Sequence, residues 1–217
     1  MKKYMDNWYY IGGIIFAALA LVLGLFGDMF DPMRRIMIVL YMCLLAHQFE
    51  EYAVPGGFPG AYNAGLEGET ELIDRYPLNT KSAFIVNICC AYPIYILGII
   101  FSDFHPLSIF IAYFTLLQFM VHGLVMNRKM GTLYNPGMGT ILCCMIPIGI
   151  YALWYIAAHY VVPVWNWWVP LLVFPVIAFA TIMLPIKLCQ DKDTIYVFPK
   201  RDTKGFSIKG KVARIRR

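Results

Sequence analysis

The sequence predicts an all-α polytopic membrane protein, a six-helix transmembrane bundle with both termini in the cytoplasm. Three observations carry this expectation. Hydrophobic residues make up 60% of the 217 and charged residues 14%, whereas an ordinary soluble domain carries roughly 25% charge. Uncharged runs as long as the roughly 20 helical residues that cross a hydrocarbon core recur along the chain. Lysine and arginine gather in alternate connections, as they do on the cytoplasmic side of a membrane.

The first span, 8–27, follows the short basic start MKKYMDNWYY. No small-residue cleavage pattern follows its apolar stretch, so it reads as a retained helix. The second, 33–53, runs through MIVLYMCLLAHQFEEY, and the third and fourth occupy 81–101 and 105–127. From Met130 to Ile186 there is no charge. That is too long for one helix, and its VVPVWNWWVP centre, with prolines and the interfacial Trp165, Trp167 and Trp168, divides it into spans 138–160 and 164–186. Residues 1–186 thus form one transmembrane domain, and residues 187–217 a basic cytoplasmic tail ending KGKVARIRR. The tail supplies most of the net charge of +5 and reads as an anchor on anionic membrane lipids, with no nucleic acid as partner. With the N-terminus inside, only Arg34 and Arg35 of the 18 lysines and arginines fall outside. The six cysteines, Cys43, Cys89, Cys90, Cys143, Cys144 and Cys189, form no C-x-x-C pair and are expected as reduced thiols among apolar neighbours.

Against this apolar background the polar residues of the spans stand out, and counting residues sets their depth. At about 1.5 Å per residue from Met33, His47 lies about 21 Å along the second helix, with Glu50 and Glu51 deeper, in the inner third. The fourth helix brings Gln118 and His122 to a similar level, and Asn87 sits about 9 Å in from the cytoplasmic end of the third. His47 and Glu51 are four apart, as are Gln118 and His122, and Glu50 is three from His47, so both carboxylates can turn toward the histidine. His105 and His159 lie at the outer boundary and are expected to be interfacial.

Ionisable groups at membrane depth face a bundle interior or a wet cavity and pair with something. Imidazole and carboxylate on facing helices suit a divalent metal, zinc or iron above all. The same residues are also compatible with a metal-free polar cluster, or with carboxylates reaching back to cytosolic water. H-x-x-E-E differs from the zincin H-E-x-x-H, whose glutamate follows the first of two histidines. The following segment, VPGGFPGAYNAGLEGETELIDRYPLNT, has an apolar first half able to dip back beside Glu50 and Glu51 and an acidic second half, and reads equally as a lid or a connector. The stretch NRKMGTLYNPGMGT enters the fifth helix through a Tyr134-Asn135-Pro136-Gly137 turn that presents polar groups near His122.

HQFEEY with the following PGGFPGAYN, Asn87 in IVNICC, His122 in QFMVH, and YNPGMGT together resemble the HXXEE-motif family of small bacterial integral membrane proteins, over roughly residues 40 to 150. Where family members tend to show Asn-x-x-x-His, this chain has Gln118 and His122. The resemblance implies the bacterial inner membrane and a shared polar site at His47, Glu50, Glu51, Asn87 and His122, and it supplies no substrate. The glutamate intramembrane proteases are a weaker match, because Pro55 stands where their E-E-x-x-x-R motif needs arginine.

The resulting expectation is a metal-dependent enzyme, a hydrolase acting on a lipid or other apolar substrate from the cytoplasmic leaflet. His47, Glu51 and His122 are the expected metal ligands, Glu50 the general base, and Asn87 and Gln118 the groups that orient ligands or polarise a substrate carbonyl. A non-haem iron oxidoreductase, a proton- or cation-coupled carrier using Glu50 and Glu51, and a partner-binding scaffold are the alternatives.

Overall fold

The computed structural model describes residues 2–204. The end of the basic tail, including KGKVARIRR, lies outside the described residues. Within them the regular elements are helical and there is no strand. The long elements are α1 (Trp8–Met29), α2 (Pro32–Tyr52), α3 (Thr80–Ile100), α4 (His105–Met130), α5 (Met138–His159) and α6 (Trp165–Cys189). Five of them, all but α2, are long and apolar enough to cross a membrane.

The helix boundaries follow from local chemistry. Asp31 caps α2, its side chain accepting the Arg34 amide at 2.8 Å, and Pro32 occupies the first turn, where no amide is missed. Asn79 and Ser82 cap α3 reciprocally, each side chain accepting the other's backbone N–H. Gly131, at φ +59, ends α4 in the left-handed conformation that favours glycine.

The element lowest in apolar character is the most enclosed. α2 carries Arg34 and Arg35 at one end and Glu50 and Glu51 at the other, and it packs against α1, α3, α4 and α5. Met33, Met37, Leu40 and Leu45 are fully buried, and the neighbours supply Tyr95, Ile109, Ile111, Ala152 and Ile156 to the same core. A helix wrapped by protein needs no continuous apolar surface for lipid, so apolarity alone does not single it out. The outer helices are the reverse: Leu21 and Leu25 of α1 and Leu172 and Val176 of α6 are exposed. Close approach within the core is set by Gly98, where a β-carbon would stand 2.2 Å from the Ile111 side chain. The Tyr95 hydroxyl ties α3 to α4 at 2.9 Å from Thr115, whose own proton goes to the Ile111 carbonyl.

Several of these helices contain a wider, π-helical turn: Ile85–Ala91 in α3, Met120–Met126 in α4, Ile141–Met145 in α5 and Phe179–Met183 in α6. Such turns insert an extra residue per helical repeat and shift the faces beyond them.

The segment between α2 and α3 folds against the bundle. Asn63 staples it: its amide donates to the carbonyls of Ile73 and Leu78 and its oxygen accepts the Leu78 N–H. The chain after α6 crosses this segment through Thr80 N–H to Tyr196 C=O and Phe198 N–H to Asp74 C=O. It then reaches the start of α1. There the Tyr9 hydroxyl donates to Asp202 at 2.8 Å, and Arg201 donates to Asp202, Asn7 and the Asp6 carbonyl.

Candidate metal centre

The i, i+4 spacing on α2 stacks His47 and Glu51 on one face, and the π-helical turn of α4 delivers His122 to the same point. All three are buried. Glu51 Oε1 lies 3.5 Å from His47 Nε2 and 3.3 Å from His122 Nε2, and one donor atom from each residue falls within 4.8 Å of the others. Phe58, from the loop after α2, stacks on the His122 ring with centroids 5.4 Å apart.

Hydrogen bonds at the far side of each ring fix its tautomer. His47 Nδ1 lies 3.1 Å from the Gly137 carbonyl oxygen, which only accepts, so Nδ1 carries the proton. His122 Nδ1 lies 2.7 Å from Asn135 Oδ1. The Asn135 amide nitrogen donates to the His122 carbonyl at 2.8 Å and to Asn127 Oδ1 at 2.7 Å, so its oxygen faces the ring and Nδ1 again donates. With both protons placed at Nδ1, both Nε2 atoms present lone pairs to a carboxylate oxygen. Three acceptors then converge in a buried place, an arrangement that is unfavourable until a cation lies among them.

The spacing suits a metal. Tetrahedral ligands at about 2.0–2.1 Å from zinc stand roughly 3.3 Å from one another, close to the 3.3 and 3.5 Å separations found. Two imidazoles and one carboxylate also form the donor set of non-haem ferrous sites.

Gly137 closes this group from the α5 side. Its φ is +100, and a β-carbon there would lie 2.6 Å from His47 Cε1, 3.0 Å from His122 Cε1 and 3.1 Å from Glu51 Cγ. Only a residue without a side chain lets the backbone come this near.

Glu50 goes elsewhere. Neighbouring helical residues point about 100° apart at 3.6 residues per turn, so it turns away from the group that Glu51 joins. Its Oε1 accepts from the Tyr134 hydroxyl and the Gly139 N–H, and its Oε2 from both the N–H and the hydroxyl of Thr140. Burial and the adjacent carboxylate push the Tyr134 phenol pKa up, so it stays a donor. Glu50 thereby holds the start of α5, and with it Gly137 and Thr140, against α2.

Asn87 and Gln118 sit apart from the three donors, on the wall of the same cavity. This cavity, about 120 Å³, is lined by His47, Glu51 and His122, by the polar Tyr52, Asn87 and Gln118, and by apolar side chains that include Leu44, Val86, Ile94, Phe114 and Ile182. Asn87 accepts from Gln48 at 2.9 Å and donates to the Ala83 carbonyl. His105 lies against Tyr160 and His159 stacks on Tyr155, both away from the group. The six cysteines are free thiols.

The sequence reading did not name Tyr134, Asn135, Gly137, Thr140 or Phe58 as site residues. The first three belong to the YNPG turn it placed near His122, but nothing in their spacing says which histidine each one serves.

Comparison with curated proteins and with solved structures returned no match. A family model described as "Protein of unknown function with HXXEE motif" matches residues 38–152, more than half of the chain, and spans His47, Glu50, Glu51, Asn87, His122 and the Gly137 turn. The chain belongs to that HXXEE-motif family.

Proposed function

We propose that this is a metal-dependent enzyme of the bacterial inner membrane, with six crossings and both termini in the cytoplasm, that hydrolyses a lipid or other apolar substrate. The observation that carries the reading is the meeting of two Nε2 lone pairs and one carboxylate oxygen, with both Nδ1 protons committed elsewhere. A bound zinc or ferrous ion supplies Lewis-acid polarisation and lowers the pKa of water.

The chain's own residues divide the remaining work. His47, Glu51 and His122 would hold such an ion. The Gly137 carbonyl and Asn135 keep each ring in the ligating tautomer. Glu50, with both oxygens taken up by four donors, fits positioning of α5 better than the general-base role expected from sequence. Glu51, the one carboxylate lining the cavity among the described residues, would turn Oε1 to the ion and leave Oε2 to accept the proton of an attacking water. Asn87 and Gln118 offer neutral amides to a polar group of the substrate, and the apolar wall takes its hydrocarbon.

The same donor set is also satisfied by a single proton on either Nε2, which favours a proton-coupled carrier as the second reading. Elemental analysis of purified protein, with His47→Ala and His122→Ala beside it, separates the two. One zinc or iron per chain, lost in both variants, is expected. A folded wild-type protein free of metal would sink the enzyme reading, and the carrier reading would take its place.

A further inference from the structure

The cavity behind the three donors has a neighbour. A second depression, a groove of about 420 Å³, runs along the outer face between α4 and α6 and shares Tyr62, Phe114, Gln118, Val121 and Ile182 with the cavity wall. Those five side chains therefore form a wall common to the two spaces. A larger apolar groove between α1 and α2, about 630 Å³, shares no lining residue with the cavity, so an apolar surface depression alone does not give access.

The groove lies where lipid is the surrounding solvent. α4 and α6 are each long and apolar enough to span a bilayer, and Met120, Val125, Phe179 and Met183 along the groove are exposed. From Val125 to Phe114 it covers twelve residues of α4, about 16 Å at helical rise, roughly half of an approximately 30 Å hydrocarbon core. One leaflet fits that length. Its Val125 end is polar: Glu67 lines it, and Lys129, one turn beyond, donates to the Leu66 carbonyl. Its Phe114 end is wholly apolar, closed by Phe174. Val121 and Ile182 of the shared wall lie within the π-helical turns Met120–Met126 and Phe179–Met183, and such turns are frequent at functional sites.

From this shared wall we infer that the α4–α6 groove is a lateral portal that takes one acyl chain of a glycerolipid from the cytoplasmic leaflet. The headgroup rests by Glu67 and Lys129, the chain runs toward Phe114 and Phe174, and the glycerol–acyl junction comes level with Gln118, Val121 and Ile182, the side chains that stand between groove and cavity. This deepens the enzyme reading by naming its substrate class and route, and it rests on that reading for why the chain is brought in.

The test uses the full-length protein in phosphatidylglycerol vesicles doped with the same lipid bearing a mid-chain diazirine, followed by photolysis, peptide mapping and metal analysis. Adducts concentrated on α4 and α6 around Val121, Phe179 and Ile182 are expected. Ile182→Trp and Val121→Trp, which fill the shared wall, should each cut those adducts by about tenfold while keeping the bound metal. Leu172→Trp, on the exposed outer face of α6, should label as wild type. His47→Ala should lose metal and keep the adducts, and wild-type protein that carries no metal yet gives the adducts defeats the enzyme reading without touching the portal. Adducts spread evenly over the outer helices, or gathered in the α1–α2 groove, overturn the portal, as does unchanged labelling in folded Ile182→Trp and Val121→Trp proteins.

Discussion

Gly137 shows how one position can govern a whole constellation. Its carbonyl fixes the His47 tautomer, and its missing side chain is what lets the α5 turn close over His47, Glu51 and His122. Gly137→Ala places a methyl group 2.6 Å from an imidazole carbon at a φ that disfavours any β-carbon. A cost of about 1–3 kcal/mol in stability is expected from the backbone alone. The larger effect falls on the site, because disturbing groups that orient metal ligands typically costs about 10–100-fold in metal affinity. Thermal unfolding together with metal titration checks this; an alanine variant that binds metal like the wild type removes Gly137 from the site. Part of this was legible beforehand. His47 and Glu51 share a face by simple i, i+4 spacing, and depth counting along two helices brings His122 level with them. The contribution of Gly137 was hidden because it lies 90 residues from His47 and acts through a carbonyl and an absent side chain, neither of which leaves a pattern in residue types.

Among the elements, the segment that follows α6 is the one whose attachment depends on pH. It docks on the loop after α2 through Phe198 and on α1 through Asp202 and Arg201. Burial raises the Asp202 pKa from 3.8 to about 6, with Asp6 adding to it and the Tyr9 and Arg201 hydrogen bonds opposing it. Because the docked value is the higher one, the protonated form favours docking. That contribution is complete below about pH 4 and is lost as pH rises through about 6. Hydrogen exchange at the Phe198 amide, which is bonded to the Asp74 carbonyl, should therefore quicken between those values, and Asp202→Asn should flatten the profile. An amide equally protected at both ends of the window in wild type contradicts the assignment. The sequence reading treated residues 187–217 as a lipid anchor, since lysine and arginine dominate the composition. Asp202, one of three acidic residues among them, gives no periodic signal that it will be buried against a tyrosine nearly the whole chain away. The π-helical turns were equally hidden, because apolar periodicity in an all-round apolar helix does not register one inserted residue.

For the molecule as a whole, the fold class was the most legible feature, since long uncharged runs admit few structures other than helices in a bilayer. The length and spacing of α1 and of α3 to α6 follow from those runs and from the proline, glycine and asparagine signals between them. α2 was found in the sequence by its place in the order of spans, and its structure explains why hydropathy marks it so faintly: its neighbours cover it, and its ends are charged. That arrangement has a consequence for biogenesis. Arginine or aspartate at a helix centre opposes insertion by about 2.5–3.5 kcal/mol, less toward the ends, so a nascent α2 arriving alone at the insertion machinery has little reason to leave it for lipid. α1, already in the bilayer and packed along α2 in the finished protein, offers it an escort. A glycosylation-mapping assay should find α2 crossing efficiently when translated behind α1 and poorly behind an unrelated apolar helix; equal efficiency in both settings would mean that α2 enters unaided. The segment bearing HXXEE is thus synthesised before most of the partners that enclose it, and its chemistry waits on the later helices.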